Sequence, residues 1–224
     1  HSEEILAEFG GVSNIHDFAG RSIIPGFVDA HTHLLWDGDR SNEIRMRQQG
    51  MSYAEIAAAG GGIRHTVSET RGSENLHRIG QERMEISLVH GTTSLEVKSG
   101  YGLDTETELR ILQIYQDLYS ECASPRLYPT WMGAHDIPHG LNRREYVEEI
   151  LSEQLPAILD QGIATAADVF CEPGWFTIED TEEICKEADR GGLTLRLHVD
   201  EFTDGGGLEL AAELGAVTAD HAIH

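Results

Sequence analysis

The chain sets 39 acidic against 16 basic side chains in 224 residues, a formal net charge of −23, and such a field excludes nucleic acid and anionic membrane surfaces as partners. Its length can bury one large core and accommodates an α/β barrel as a single domain. No stretch is apolar for long enough to cross a bilayer, and no charged-then-apolar leader opens the chain.

Residues 1–22 read as the end of a small β-sandwich-like domain, which leads into the main body at residue 23. Ile23 to Ala30 is apolar except for Pro25, Gly26 and Asp29, the pattern of a short buried strand. It runs into His31-Thr32-His33. Side chains two apart on a strand share a face, so both imidazoles are directed to one point. That pair suits a divalent metal; two core histidines satisfied by hydrogen bonds are the alternative.

A polar, Gly-punctuated excursion from Leu34 to Gly72 follows, with a helix expected around Tyr53–Ala59. The next helix runs from Glu74 to Val89 and stops at Gly91. Thr92–Val97 is the second strand. Thr105-Glu106-Thr107-Glu108 has the capping-box form and opens a helix with Leu109, Leu112 and Leu118 on its apolar stripe. Arg126–Met132 is the third strand.

Asn142 caps a helix that Pro156 should kink and Gly162 should end. Ala166–Cys171 is the fourth strand, Thr177–Arg190 a helix, Leu193–Val199 the fifth strand, Leu208–Leu214 a short helix and Ala216–His221 the sixth strand. Such alternation implies parallel strands joined by crossover helices. A doubly wound sheet is the rival architecture, but it ordinarily carries a Gly-rich phosphate turn after its first strand, where this chain has histidines. A (β/α)8 TIM-type barrel is therefore expected over residues 23–224, with six β/α units present and the last two lying outside the chain.

Histidines or acids stand at the end of each strand but the second: His31 and His33, then His135, Cys171-Glu172, His198 with Glu201, and Asp220-His221. The second strand ends in Lys98-Ser99-Gly100-Tyr101. In a barrel those ends share one mouth. His198 closes an apolar run and can supply a third imidazole to the metal. Glu201, just past the strand end, can reach a water there without being a ligand and can act as general base; a helix-entry acid held by the dipole is the alternative. His65, His77, His90 and His139 lie on helices or loops and receive no role.

Pro25-Gly26-Phe27-Val28-Asp29-Ala30-His31-Thr32-His33 resembles the first-strand signature of the amidohydrolase superfamily, whose barrels hydrolyse or deaminate C–N bonds. Glu96-Val97-Lys98-Ser99-Gly100-Tyr101-Gly102-Leu103, Gly38-Asp39-Arg40, Gly133-Ala134-His135 and Leu195-Arg196-Leu197-His198-Val199-Asp200-Glu201-Phe202 resemble runs of the imidazolonepropionase family. The resemblance implies one metal ion, zinc or iron, held by His31, His33 and His198, with an Asp beyond the chain as fourth ligand. It further implies substrate binding by Arg40, Tyr101, His135 and Glu201, and catalysis by Glu201 with His221.

The implied reaction is the hydrolysis of 4-imidazolone-5-propanoate to N-formimidoyl-L-glutamate. Arg40 would clamp the propionate carboxylate bidentately. A nucleobase deaminase of the same superfamily and a non-catalytic metal-binding protein are the alternatives. Binuclear relatives carry a bridging lysine on strand four; Lys98 lies on strand two, so a single-ion site and a supporting Lys98 are expected.

Cys122, Cys171 and Cys185 are odd in number and form no Cys-x-x-Cys pair, which places the chain in a reducing cytoplasm. Lys98 and Lys186 are the only lysines. An acidic, Lys-poor surface fits a salt-rich cytosol, or simply an acidic enzyme. A homodimer is the expected assembly.

Overall fold

The computed structural model describes residues 2–11, 14, 16–52, 55–56 and 59–224. An N-terminal helix, α1 (Ser2–Phe9), precedes β1 (Phe27–Thr32), α2 (Ser41–Gln48), α3 (Ile63–Gly72), α4 (Leu76–Val89) and β2 (Thr92–Lys98). Next come α5 (Thr105–Glu121), β3 (Arg126–Ala134), α6 (Arg143–Glu149), a π-helical turn (Ile150–Gln154) and α7 (Leu155–Gln161). The chain continues through β4 (Ala166–Cys171), α8 (Ile178–Arg190), β5 (Thr194–Val199), α9 (Gly207–Glu213) and β6 (Thr218–His221).

All neighbouring strands pair in parallel and in chain order, β1 to β6. Strand order never reverses, so the switch point that defines a doubly wound sheet is missing and the barrel reading holds. The sheet curls until its two edges meet at their C-terminal ends, where His31 of β1 hydrogen-bonds Asp220 of β6 at 2.9 Å. The six strands thus form a nearly closed barrel.

The core lies between strands and helices. β4 is buried along its whole length, as a parallel strand covered on both faces must be. Ile111, Leu112, Tyr115 and Leu118 of α5 pack there with Val97, Trp131 and Leu197.

β1 differs from its expected form. Ile23 and Ile24 precede the strand, and Phe27 and Val28 are exposed. As an edge strand, β1 has a neighbour on one side only, so apolar composition alone does not bury it. Residues 2–22 carry an exposed helix and, among the described residues, no strand.

Helix ends follow local chemistry. Asn142 and Thr177 each make a full capping box, with Glu145 and Asp180. The expected box of Thr105 and Glu108 is replaced: Asp104 accepts from Thr107 N at 2.7 Å, while Glu108 turns to the strand-end loop. Pro156 follows the π-helical turn, a wider winding that accommodates its missing N–H, and Gly162 closes α7 in the left-handed conformation (φ 67°). The excursion between β1 and α4 holds α2 and α3, neither foreseen; the sole buried side chain of α2 is Glu43, so no apolar stripe announced it. Most of the helix expected around Tyr53–Ala59 lies outside the described residues.

Candidate metal centre

Five imidazoles gather at the C-terminal ends of the strands. His31 lies 4.5 Å from His198 and 5.4 Å from His221, ring centre to ring centre, and His198 lies 5.0 Å from His221. His33 stacks on His135 at 4.7 Å and stands 5.8 Å from both His31 and His198. Parallel strands with a common direction deliver these side chains to one mouth. Residues 31 and 221 are thereby neighbours.

Ligand atoms of His31, His198 and His221 lie within 4.8 Å of one another, as do those of Asp168, His198 and Asp220. His33, expected beside His31 and His198, belongs to neither group. β1 ends at Thr32 and its register against β2 shifts between Asp29 and Thr32. His33 thus leaves the ladder, and its Nδ1 lies 3.1 Å from Ser99 O. His221 comes close instead, on a backbone with φ 71°, a strained value for a residue with a side chain.

The rings are oriented from behind. His198 Nδ1 lies 3.0 Å from Asp168 Oδ1, and His31 Nδ1 lies 2.9 Å from Asp220 Oδ2. The ammonium of Lys98, with no exposed surface, reaches Asp168 Oδ2 at 2.6 Å, Glu96 Oε1 at 2.8 Å and Asp220 Oδ2 at 3.2 Å. Burial alone would raise the Asp168 carboxyl, but the neighbouring His198 ring and the Lys98 ammonium outweigh it and hold the group far below the usual carboxylate range. Burial pushes His135 down to about 3, helped by the neighbouring His198 ring. Burial, then His135, His198 and His31, put His33 well below an ordinary imidazole. Both rings are therefore neutral at physiological pH.

Asp168, Asp220 and Glu96 had no role in the sequence reading. A carboxylate inside an otherwise apolar strand, as in Ala-Ala-Asp-Val-Phe-Cys, is the signal that would have pointed to Asp168.

Glu201 Oε2 stands 3.5 Å from His221 Nε2. Buried Glu172 holds the Glu201 segment, accepting from Glu201 N at 3.0 Å and Phe202 N at 3.3 Å. Asp200 accepts from the N–H groups of Gly205, Gly207 and Leu208. The run Thr203–Gly207 is thus a pinned turn rather than a slack one.

Tyr101 sits 5.4 Å from both His33 and His135, on a loop that Glu108 cinches through Gly100 N, Gly102 N and Leu103 N. Arg40 does not present an open fork: Glu43 grips it bidentately, at 2.7 Å from Nε and 2.8 Å from Nη2.

In an alignment of 226 positions that covers 99% of its length, the chain is 42% identical to an imidazolonepropionase of Haloarcula marismortui. It is 43% identical over 218 residues to that of Alkaliphilus metalliredigens, covering 96% of the chain. The chain is a homologue of the imidazolonepropionases. It spans about half the length of these curated relatives, 53% and 51%. No family model matches it.

Among solved structures, Arabidopsis ADAL complexed with GMP has a TM-score of 0.54 at 14% identity, over 88% of this chain and 64% of that one. An amidohydrolase from Burkholderia ambifaria with bound zinc has the same score at 17% identity, over 89% and 62%. These likenesses concern the fold alone.

Proposed function

We propose that the protein containing this chain hydrolyses the ring C–N bond of 4-imidazolone-5-propanoate, yielding N-formimidoyl-L-glutamate in histidine breakdown. The observation that carries this reading is the convergence of His31, His198 and His221 beside Glu201, in a homologue of the imidazolonepropionases.

The residues present fit a metal ion. Asp168 and Asp220 each hold the Nδ1 of an imidazole, which is how metal-ligating histidines are oriented, with the other ring nitrogen left for the ion. His31 and His198 would hold it, with His33 or His221 as a third ligand and zinc or iron as the ion. Bound there, it would supply Lewis acidity and a lowered water pKa.

The side chains divide the remaining work. Glu201 takes a proton from the attacking water and returns it to the ring nitrogen as the C–N bond breaks. Where His33 completes the ligand set, His221 orients that water or donates to the developing oxyanion; burial lowers its pKa against the opposing pull of Glu201. Tyr101 and His135 contact the substrate, and Arg40 meets the propionate carboxylate while Glu43 sets its orientation. The working unit is a cytoplasmic homodimer.

The deciding experiment is turnover of imidazolone propionate against free cytosine, guanine and adenine by the full-length protein, with elemental analysis of the same sample. Ring opening with about one zinc or iron per subunit is expected. Deamination of a base without imidazolone turnover would overturn the reading.

A further inference from the structure

We propose that Lys98 is a positioning residue that, through Asp168 and Asp220, fixes both His31 and His198 with the proton on Nδ1 and Nε2 left as the ligand atom. The inference rests on the proposed metal site, but not on which substrate is turned over.

Lys98, Asp168 and Asp220 come from β2, β4 and β6. Alternate strands of a barrel supply each interior layer, so the three side chains meet at one level. An ammonium has three N–H donors and no acceptor, and Lys98 Nζ has three carboxylate partners: Asp168 at 2.6 Å, Glu96 at 2.8 Å and Asp220 at 3.2 Å. Each donor is thereby committed. The backbone of Lys98 is anchored as well, its carbonyl accepting from the Tyr115 hydroxyl at 2.8 Å.

Two of the three partners touch an imidazole. Asp168 Oδ1 faces His198 Nδ1 at 3.0 Å and also accepts from His198 N at 3.1 Å. Asp220 Oδ2, the same oxygen that meets Lys98, faces His31 Nδ1 at 2.9 Å. An ionised carboxylate only accepts, so the ring nitrogen opposite it is the donor. One buried cation therefore sets the position of both carboxylates, and with them the tautomer of two rings on strands four places apart in the sheet. Glu96 takes the third donor and also accepts from Thr130 at 2.6 Å; it holds Lys98 without either carboxylate's contact to a ring.

The test uses full-length protein with 15N-labelled histidine, stripped of metal. Long-range ring 1H–15N correlations report the tautomers, and zinc is titrated against a competing chelator. In the wild type His31 and His198 should each show a single form protonated on Nδ1. Lys98→Met should lose that form at both rings and bind zinc about 10–100-fold more weakly, whereas Glu96→Gln should stay within about threefold of wild type.

Rings protonated on Nε2 in the wild type would overturn the proposal without any variant. So would Lys98→Met with wild-type ring shifts and zinc affinity, however far its melting temperature falls, or Glu96→Gln weakening zinc as much as Lys98→Met. Should Lys98→Met not accumulate folded, Lys98→Met combined with Glu96→Gln removes opposite buried charges together and is judged by the same two readings. None of them involves substrate, so a wild type that binds zinc with the expected tautomers but leaves imidazolone propionate intact would count against the proposed function alone.

Discussion

Asp168 Oδ1 lies 3.0 Å from His198 Nδ1, and both side chains are buried. This contact joins β4 to β5 where the pairing register sets Phe170 beside His198. One carboxylate thus serves as sheet glue and as the support of a proposed metal ligand. Asp168→Asn keeps the shape but removes the charge facing Lys98. Breaking one partner of a buried ion pair costs about 3–5 kcal/mol, and a lower urea midpoint in equilibrium unfolding is the expected result. A midpoint equal to wild type would show that Lys98 is held by its other carboxylates alone.

Glu201 is held at its backbone by Glu172 rather than by packing of its own side chain. Glu201→Gln should therefore leave the circular dichroism spectrum and zinc content unchanged while lowering kcat about 10²–10⁴-fold. Glu172→Gln keeps an acceptor for the loop but weakens it, so a smaller fall in kcat is expected. Steady-state kinetics on imidazolone propionate separates the two. Equal losses would place Glu172 in the chemistry itself.

Arg40 and Glu43 make a part-buried bidentate pair. Arg40→Ala should raise KM for imidazolone propionate more than tenfold, since a hydrogen bond to a charged group is worth about 1.5–3 kcal/mol, with a smaller effect on kcat. Normal KM in that variant would remove Arg40 from the carboxylate site.

The same pair predicts a pH dependence. The Arg40 hydrogen bond, against burial, holds the Glu43 carboxyl below its ordinary value. An acid with a depressed folded pKa contributes stability above its unfolded value, about 4.3 for Glu, and loses it as pH falls through the lower folded value. Melting temperatures followed downward from about pH 5 should fall less steeply for Glu43→Gln than for wild type. Parallel curves would contradict this.

Gly133, in the run leading to His135, has no room for a methyl group. A Cβ there would overlap Gln154 Oε1 and press on the Trp131 ring, while Gln154 is already committed to Trp131 Nε1 at 3.0 Å. Gly133→Ala should cost about 1–3 kcal/mol as an overpacked core site, read from guanidinium unfolding. A variant as stable as wild type would mean that the π-helical turn shifts freely.

The alternation of strands and helices was legible because it is written locally. Apolar runs of strand length, Gly stops and the Asn142 cap act within a few residues of themselves, and β4 was read to the residue. The gathering of histidines was legible too, because a barrel sends every strand end to one mouth. α2 was not, having no apolar stripe to betray it. Nor was the departure of His33 from the ladder, which follows from a register shift between β1 and β2.

Composition and pattern by themselves determined that the chain is an acidic α/β barrel with imidazoles at its strand ends. Only the tertiary structure decided which carboxylate stands behind each ring, that Lys98 joins those carboxylates, and that Glu43 holds Arg40. The reason is distance along the chain. Asp168 and His198 are 30 residues apart, Lys98 and Asp220 are 122, and His31 and Asp220 are 189. Periodicity reports a residue's own element, whereas these partners are chosen by strand register and by the curl that brings β6 round to β1.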